Sequence, residues 1–345
     1  MKIRTCWLLF LLGMTAGSAW SQSTGTVYGL IDIGFVHEGG GPGGASIDKL
    51  TSGVASGSRL GFRGTEGLGD GLAAFYVLEM GINADTGTLG QGGLGFGRQS
   101  IVGLQGDFGT VALGRQYTPV AFIQTETDPF ATGLAGNSPN LISAGGAGGS
   151  NRMNNTVRYS YTGQSGLTAD LAYGFGEATN SISRNRQVGA AIGYVSGPVY
   201  LKLGYHNVKD AMSVPAKMTF FGAKYDIGAV TAHFNYVVNK GAAVFGLVNA
   251  DSRDVMVGIS VPYGASRFMA SCIGKNDRTF ANNDARQVAL GYTYFLSKRT
   301  SFYASIARIR NNALAGAASG FYRVGNATEQ GLGNRAQNIG VRHAF

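Results

Sequence analysis

Residues Asn338 to Phe345 alternate without a break. Ile339, Val341, His343 and Phe345 fall on one side, and Asn338, Gly340, Arg342 and Ala344 on the other. A strand of this pattern closed by an aromatic residue suits a sheet whose last strand must find its first. In a bilayer an open edge would leave backbone N–H and C=O groups without partners. The expectation is an all-β fold, a transmembrane antiparallel β-barrel of the outer-membrane type. Its closure would rest on Ile339, Val341, His343 and Phe345, with Phe345 at the periplasmic rim.

The opening residues imply the matching compartment. Lys2 and Arg4 precede the apolar run Cys6 to Met14, and Ala19-Trp20-Ser21 has the small-x-small form of a cleavage site. The run is too short for a membrane helix, which takes about 20 apolar residues. A leader over residues 1–21 is expected, leaving residues 22–345 as one barrel domain. No later stretch is apolar for long enough to span as a helix, so a helical membrane protein is excluded.

Composition narrows the class further. Charged residues make up 14% of the chain, against about 25% in soluble proteins. Mean hydropathy is +0.04, as expected where lipid-facing and lumen-facing residues alternate. The 16 Tyr and 19 Phe argue against disorder and suit interfacial girdles. Without the leader, 26 basic residues remain of the 28 and face 19 acidic ones, a net of +7.

Several chemistries find no support. Cys6 belongs to the leader, so Cys272 is alone, and His37, His206, His233 and His343 are scattered. No disulfide or zinc spacing results, and neither metal nor cofactor is expected. The glycine run Gly92 to Gly97 leads into a strand pattern and lacks Gly-Lys-Ser/Thr, against nucleotide binding. No basic cluster suggests nucleic acid. An enzyme is not expected, since only His206 and His233 could serve as bases and no serine motif accompanies them.

The organising unit is a strand of about ten residues followed by a turn. The first two candidates are Val27 to Phe35 and Arg59 to Arg63. Leu72 to Met80, Gln99 to Gln105, Thr110 to Gln116, Thr156 to Thr162, Leu167 to Phe175 and Gln187 to Val195 follow. Then come Val199 to His206, Met218 to Tyr225, Ala229 to Val238, Asp254 to Val261, Arg267 to Ile273, Arg286 to Tyr294 and Ser301 to Arg308. Asn338 to Phe345 brings the count to about sixteen, even as bacterial barrels require. Short turns alternate with long loops, the asymmetry of periplasmic and extracellular connections.

The longest connection covers residues 117–154. It carries Pro119, Pro129 and Pro139, the acids Glu126 and Asp128, and a glycine-rich stretch before Arg152. Loops this long are usually functional, and inward folding that narrows the lumen is expected.

Several segments together resemble the trimeric general porins of β-proteobacteria, the Neisseria–Bordetella–Burkholderia type. They are Val27 to Asp32, Ser58 to Glu66, Phe108 to Gln116, Arg152 to Tyr161, Gly291 to Tyr294 with Leu296 to Thr300, and Arg342 to Phe345. They span the chain in family order. Two departures are Gly67, where the family often has Asp, and Leu72-Ala73-Ala74, which lacks a common Lys. The resemblance implies a sixteen-stranded homotrimeric pore with its third loop in the lumen. It also implies an arginine cluster facing acids at the constriction: Arg59, Arg98 and Arg152, with Glu79 as partial counter-charge. It further implies recognition of the terminal aromatic strand by the outer-membrane assembly machinery.

A pore needs a wet lumen, a narrowing and charges that bias ions. Arginine stays charged at physiological pH and presents a fixed fork of donors. The expected function is passive diffusion of small ions and hydrophilic solutes with an anion preference. The constriction candidates are Arg59, Arg98, Arg152, Glu79, Glu126 and Asp128. Arg63, Asp32, Arg158, Lys202, Lys224 and Arg267 are further lumen candidates. Outer-membrane lipid would surround the barrel. The alternative is a structural or adhesion barrel with a plugged lumen and partner-binding loops.

Overall fold

The computed structural model describes residues 24–142, 150–241, 250–312 and 322–345. The leader expected over residues 1–21 and the stretch Ala144 to Gly149 lie outside them. In chain order the strands begin with β1 (Thr24–Gly39), β2 (Ile47–Ser52), β3 (Arg59–Gly69), β4 (Leu72–Asn83), β5 (Thr88–Leu89) and β6 (Gln99–Gly106). β7 (Gly109–Tyr117), β8 (Arg152–Thr162), β9 (Leu167–Gly174), β10 (Gln187–Ser196), β11 (Val199–Lys209) and β12 (Pro215–Asp226) follow. β13 (Thr231–Gly241), β14 (Ala250–Tyr263), β15 (Ser266–Asp277), β16 (Asp284–Phe295), β17 (Thr300–Asn312) and β18 (Arg335–Ala344) complete the wall.

Sixteen of these form a closed antiparallel barrel, and each overlaps a segment expected from the alternation, with β9 ending one residue before Phe175, β13 starting two residues after Ala229 and β18 ending one residue before Phe345. The other two, β2 and β5, are short additions at the loop end. β2 pairs with the upper half of β1, Ile33 to Glu38, while β3 takes the lower half, Thr24 to Leu30. Most strands run beyond their alternating apolar core. β1 begins three residues earlier and ends four later than the pattern suggests, because polar residues continue the hydrogen-bond ladder beyond the apolar band.

Closure occurs between β1 and β18, in register from Leu30↔Ala344 to Gly39↔Arg335. Phe345 extends it: its N–H donates to the Gly29 carbonyl (3.0 Å) and its carbonyl accepts from the Gly29 N–H (3.1 Å). The phenyl ring lies over Gly29, where an added Cβ would sit 2.2 Å from a ring carbon. The facing agrees with the alternation: Ile339, Val341, His343 and Phe345 are exposed outward, while Ala336 and Asn338 are buried inward.

At one end the connections are tight. Asp70 and Gly71 join β3 to β4, both with positive φ (48° and 75°), the backbone that a two-residue hairpin turn favours. At the other end lie the loops, one of which enters the barrel. It packs on an interior cluster that includes Met218, Phe220, Val237, Met256, Ile273 and Ile309, all fully buried.

Overpacking costs about 1–3 kcal/mol, so Gly29→Leu should lower the yield of folded barrel several-fold. Deletion of Phe345 should do the same. Heat-dependent mobility on denaturing gels checks both, and single-channel conductance of the molecules that do assemble should be unchanged.

Candidate functional site

The chain leaves the wall at Tyr117 and forms a helix, α1 (Pro119–Thr127), inside the barrel. Thr118 caps it, its hydroxyl accepting from the Ala121 N–H at 3.1 Å, and Pro119 occupies the first turn where no N–H is needed. Val120, Ile123 and Thr127 turn to the wall. They meet it at glycines: a Cβ on Gly204 would fall 2.7 Å from Ile123, and one on Gly222 2.5 Å from the same residue. Because the lumen is wet, burying Val120 and Ile123 contributes about 1.5–3 kcal/mol each. Phe122 and Glu126, one turn apart, remain exposed on the opposite side.

Beyond the helix the loop crosses to the far wall and is fastened there. The Ala135 N–H donates to Ser305 Oγ (3.0 Å), Gln287 Nε2 to the Gly136 carbonyl (3.0 Å), and Lys275 Nζ to the Leu141 carbonyl (3.1 Å). The Val54 carbonyl accepts from both the Leu134 N–H (2.7 Å) and the Ala327 N–H (3.2 Å). Three loops thus meet at one buried oxygen and fill that side of the lumen. Inward folding of the long loop is therefore what the structure contains.

Three arginines gather around Glu79 of β4: Arg59 on β3, Arg98 just before β6, and Arg152 at the start of β8. Arg98 Nε donates to Glu79 Oε1 (2.6 Å), and Arg59 Nη1 lies 3.9 Å from the same oxygen. Tyr28 donates to Glu79 Oε2 at 2.9 Å. The Tyr117 hydroxyl accepts from Arg98 Nη2 (2.9 Å) and from Arg152 Nη2, and the Arg152 guanidinium lies 4.3 Å from the Tyr117 ring centre. Arg152 Nε also donates to the Arg98 carbonyl (2.9 Å). Among the described residues, Glu79 is the one carboxylate in this group, and Arg152 has no ion-pair partner. The balance is three cations to one anion.

A second polar row lies beside α1. Arg158 pairs with Asp170 and stacks on Phe122 at 4.4 Å. Lys224 Nζ donates to Glu126 Oε2 at 2.9 Å, and Lys202 and Lys224 each lie 5.5 Å from the Tyr200 ring centre. Arg63 lies over Tyr28, and Arg267 over Phe295 near the turn end of β16, away from the arginine group.

Two sequence expectations are corrected. Asp128 does not face the lumen. It is buried, and its carboxylate accepts from the N–H groups of Phe130 (2.9 Å), Thr132 (3.2 Å) and Ser138 (2.8 Å), so it shapes the loop from within. Asp32 is likewise buried, accepting from the N–H groups of Val54 and Ser56 and from the Tyr303 hydroxyl. Tyr117, Tyr28 and Phe122 belong to the site without standing out in the strand pattern. A Tyr closing a strand just before a long loop that returns through Arg152 is the one signal the sequence offers for them.

The chain matches the family model described as Gram-negative porin over residues 8–314. It is 32% identical to outer membrane porin protein 32 of Delftia acidovorans, covering 96% of each chain. It is 28% identical to an outer membrane porin protein of Bordetella pertussis, covering 97% of this chain and 98% of that one. Among solved structures it superposes on the anion-selective porin from Comamonas acidovorans with a TM-score of 0.80 at 29% identity. That match covers 94% of this chain and all of the other.

Removing one partner of a buried ion pair strands the other, typically at about 3 kcal/mol or more. Glu79→Gln should therefore lower the denaturant midpoint of the folded barrel. A midpoint equal to wild type would show that solvent already compensates Arg98.

Proposed function

The chain belongs to the Gram-negative porin family, and from that premise we propose an anion-preferring diffusion channel whose selectivity is set by charge at an arginine-lined narrowing. The coarser part is plain: it is an outer-membrane porin, a β-barrel passage for small hydrophilic solutes. The finer part is the preference and its source.

One observation carries it, the three-to-one balance of Arg59, Arg98 and Arg152 over Glu79 on the wall of β3, β4 and β8, where Arg59 and Arg152 are half-buried and Arg98 is buried against Glu79. Guanidinium groups held by Tyr117, Glu79 and backbone carbonyls need no rearrangement when an anion arrives. Glu79 orients Arg98 without cancelling the group. Lys202, Lys224 and Arg158 extend the positive surface on the facing side, with Glu126 and Asp170 offsetting part of it. Local potential of this kind raises anion concentration at the narrowing and lowers that of cations. The Comamonas relative is itself described as anion-selective. The trimer is proposed from family membership.

The test is planar-bilayer recording of purified protein. Stable open steps with a zero-current potential favouring the anion are expected. Replacing Arg59 and Arg152 together by Gln should move that potential towards the cation. An unchanged potential in the double variant would reject these arginines as the selectivity source, and the absence of any conductance would favour a plugged adhesion barrel.

A further inference from the structure

Two arginines of the lumen have their edges engaged within the protein. Arg152 donates from each of its three nitrogens: Nε to the Arg98 carbonyl (2.9 Å), Nη1 to Asn151 Oδ1 (2.8 Å) and Nη2 to the Tyr117 hydroxyl (2.5 Å). Arg158 gives Nε (2.8 Å) and Nη2 to the two oxygens of Asp170. A carboxylate ordinarily seeks the edge of a guanidinium, where its two oxygens meet parallel N–H groups. At both residues that edge is already in use.

Both guanidinium groups also lie over rings, Arg152 at 4.3 Å from the Tyr117 centre and Arg158 at 4.4 Å from that of Phe122. The two rings meet edge to face with their centres 5.8 Å apart. Arg152, Tyr117, Phe122 and Arg158 therefore make one continuous row, from the arginine group to the polar row beside α1. Among the described residues neither guanidinium lies over a second ring. Arg152 and Arg158 are half-buried, and Phe122 is 38% exposed on the side of α1 turned away from the wall. A guanidinium placed on one ring can take another on its opposite face, because either face attracts a π-system. A planar aromatic anion meets both properties of this row. Its carboxylate is drawn by the surplus charge of the arginine group, and its ring completes the stack. A saturated anion of the same charge and bulk gains only the first.

We propose that the pore favours planar aromatic carboxylates over saturated carboxylates of equal charge, by stacking them on Arg152 and Arg158. This inference rests on the anion-preferring reading above and names the class of solute that the same narrowing takes best. Charge brings the solute to the row, and the flat guanidinium faces discriminate among those that arrive.

Benzoate and cyclohexanecarboxylate separate the two contributions, since they share charge and bulk and only benzoate has a π-system. Each is added to purified protein conducting chloride in a planar bilayer at about pH 7.5, where both are ionised. The concentration that halves the chloride current is read. Benzoate should reach it at a concentration about three- to tenfold lower, the range that one or two cation–π contacts supply. In Phe122→Leu the ring under Arg158 is lost while Asp170 still holds the guanidinium, and the benzoate advantage should fall by half or more. Heat-dependent mobility on denaturing gels checks that this variant folds. Equal half-blocking concentrations in wild type would overturn the proposal, whatever the variant does. An advantage undiminished in folded Phe122→Leu would overturn it too, because the stacking would then lie elsewhere. The chloride-to-potassium permeability ratio, read separately, distinguishes the two claims. A ratio above one with equal block removes only the aromatic preference, and a ratio below one removes the anion reading with it.

Discussion

Everything in this molecule depends on satisfying the backbone inside a medium that offers no hydrogen bonds. That condition forces the sheet to close, and closure is achieved by the ladder between β1 and β18, extended by the reciprocal Gly29–Phe345 pair. The glycine is part of the device, since only a missing Cβ lets the Phe345 ring lie flat on its partner strand. Once closed, the barrel has a wet interior, and ordinary aqueous physics applies there. The long loop folds inward because Val120, Ile123, Phe130 and Ile142 find an apolar wall on the strands opposite.

The two sides of the interior are then used differently. From β14 round to β1, loop and wall merge into a packed core fixed by Gln287, Lys275, Ser305 and the Val54 carbonyl. On the β3, β4 and β8 side, Arg59, Arg152 and Arg98 (which precedes β6) gather around Tyr117 and Glu79, with Arg98 and Glu79 buried against each other. The carboxylates buried beneath it, Asp32 and Asp128, accept backbone N–H groups and hold turns in shape.

Much of this is legible in the sequence because strand periodicity is strict. A residue on β1 or β18 can face only lipid or the interior, and counting alone puts Ile339 and Phe345 on the lipid side; it turns Asp32 inward but gives no sign that Val54, Ser56 and Tyr303 enclose it. Other features lack such a signal. β2 and β5 are too short to show a period. Helix α1 is nine residues inside a loop and owes its existence to Thr118, Pro119 and the wall it packs on. Glu126 and Asp128 look equivalent on paper, but one ends the exposed side of the helix and the other turns into the loop interior. Arg98 precedes its strand, so alternation does not settle its direction, and its contact with Glu79 comes only from the fold.

On the proposed mechanism, fixed arginine charge at the narrowing sets which ions pass. Salt screens such charge, the Debye length falling from about 10 Å at 0.1 M to about 3 Å at 1 M. The measurement that addresses this most directly is the chloride-to-potassium permeability ratio of the wild-type protein, taken from zero-current potentials at low and at high salt. A ratio above one that declines steadily as salt rises is expected. A ratio below one, or one indifferent to salt, would contradict the arginine mechanism.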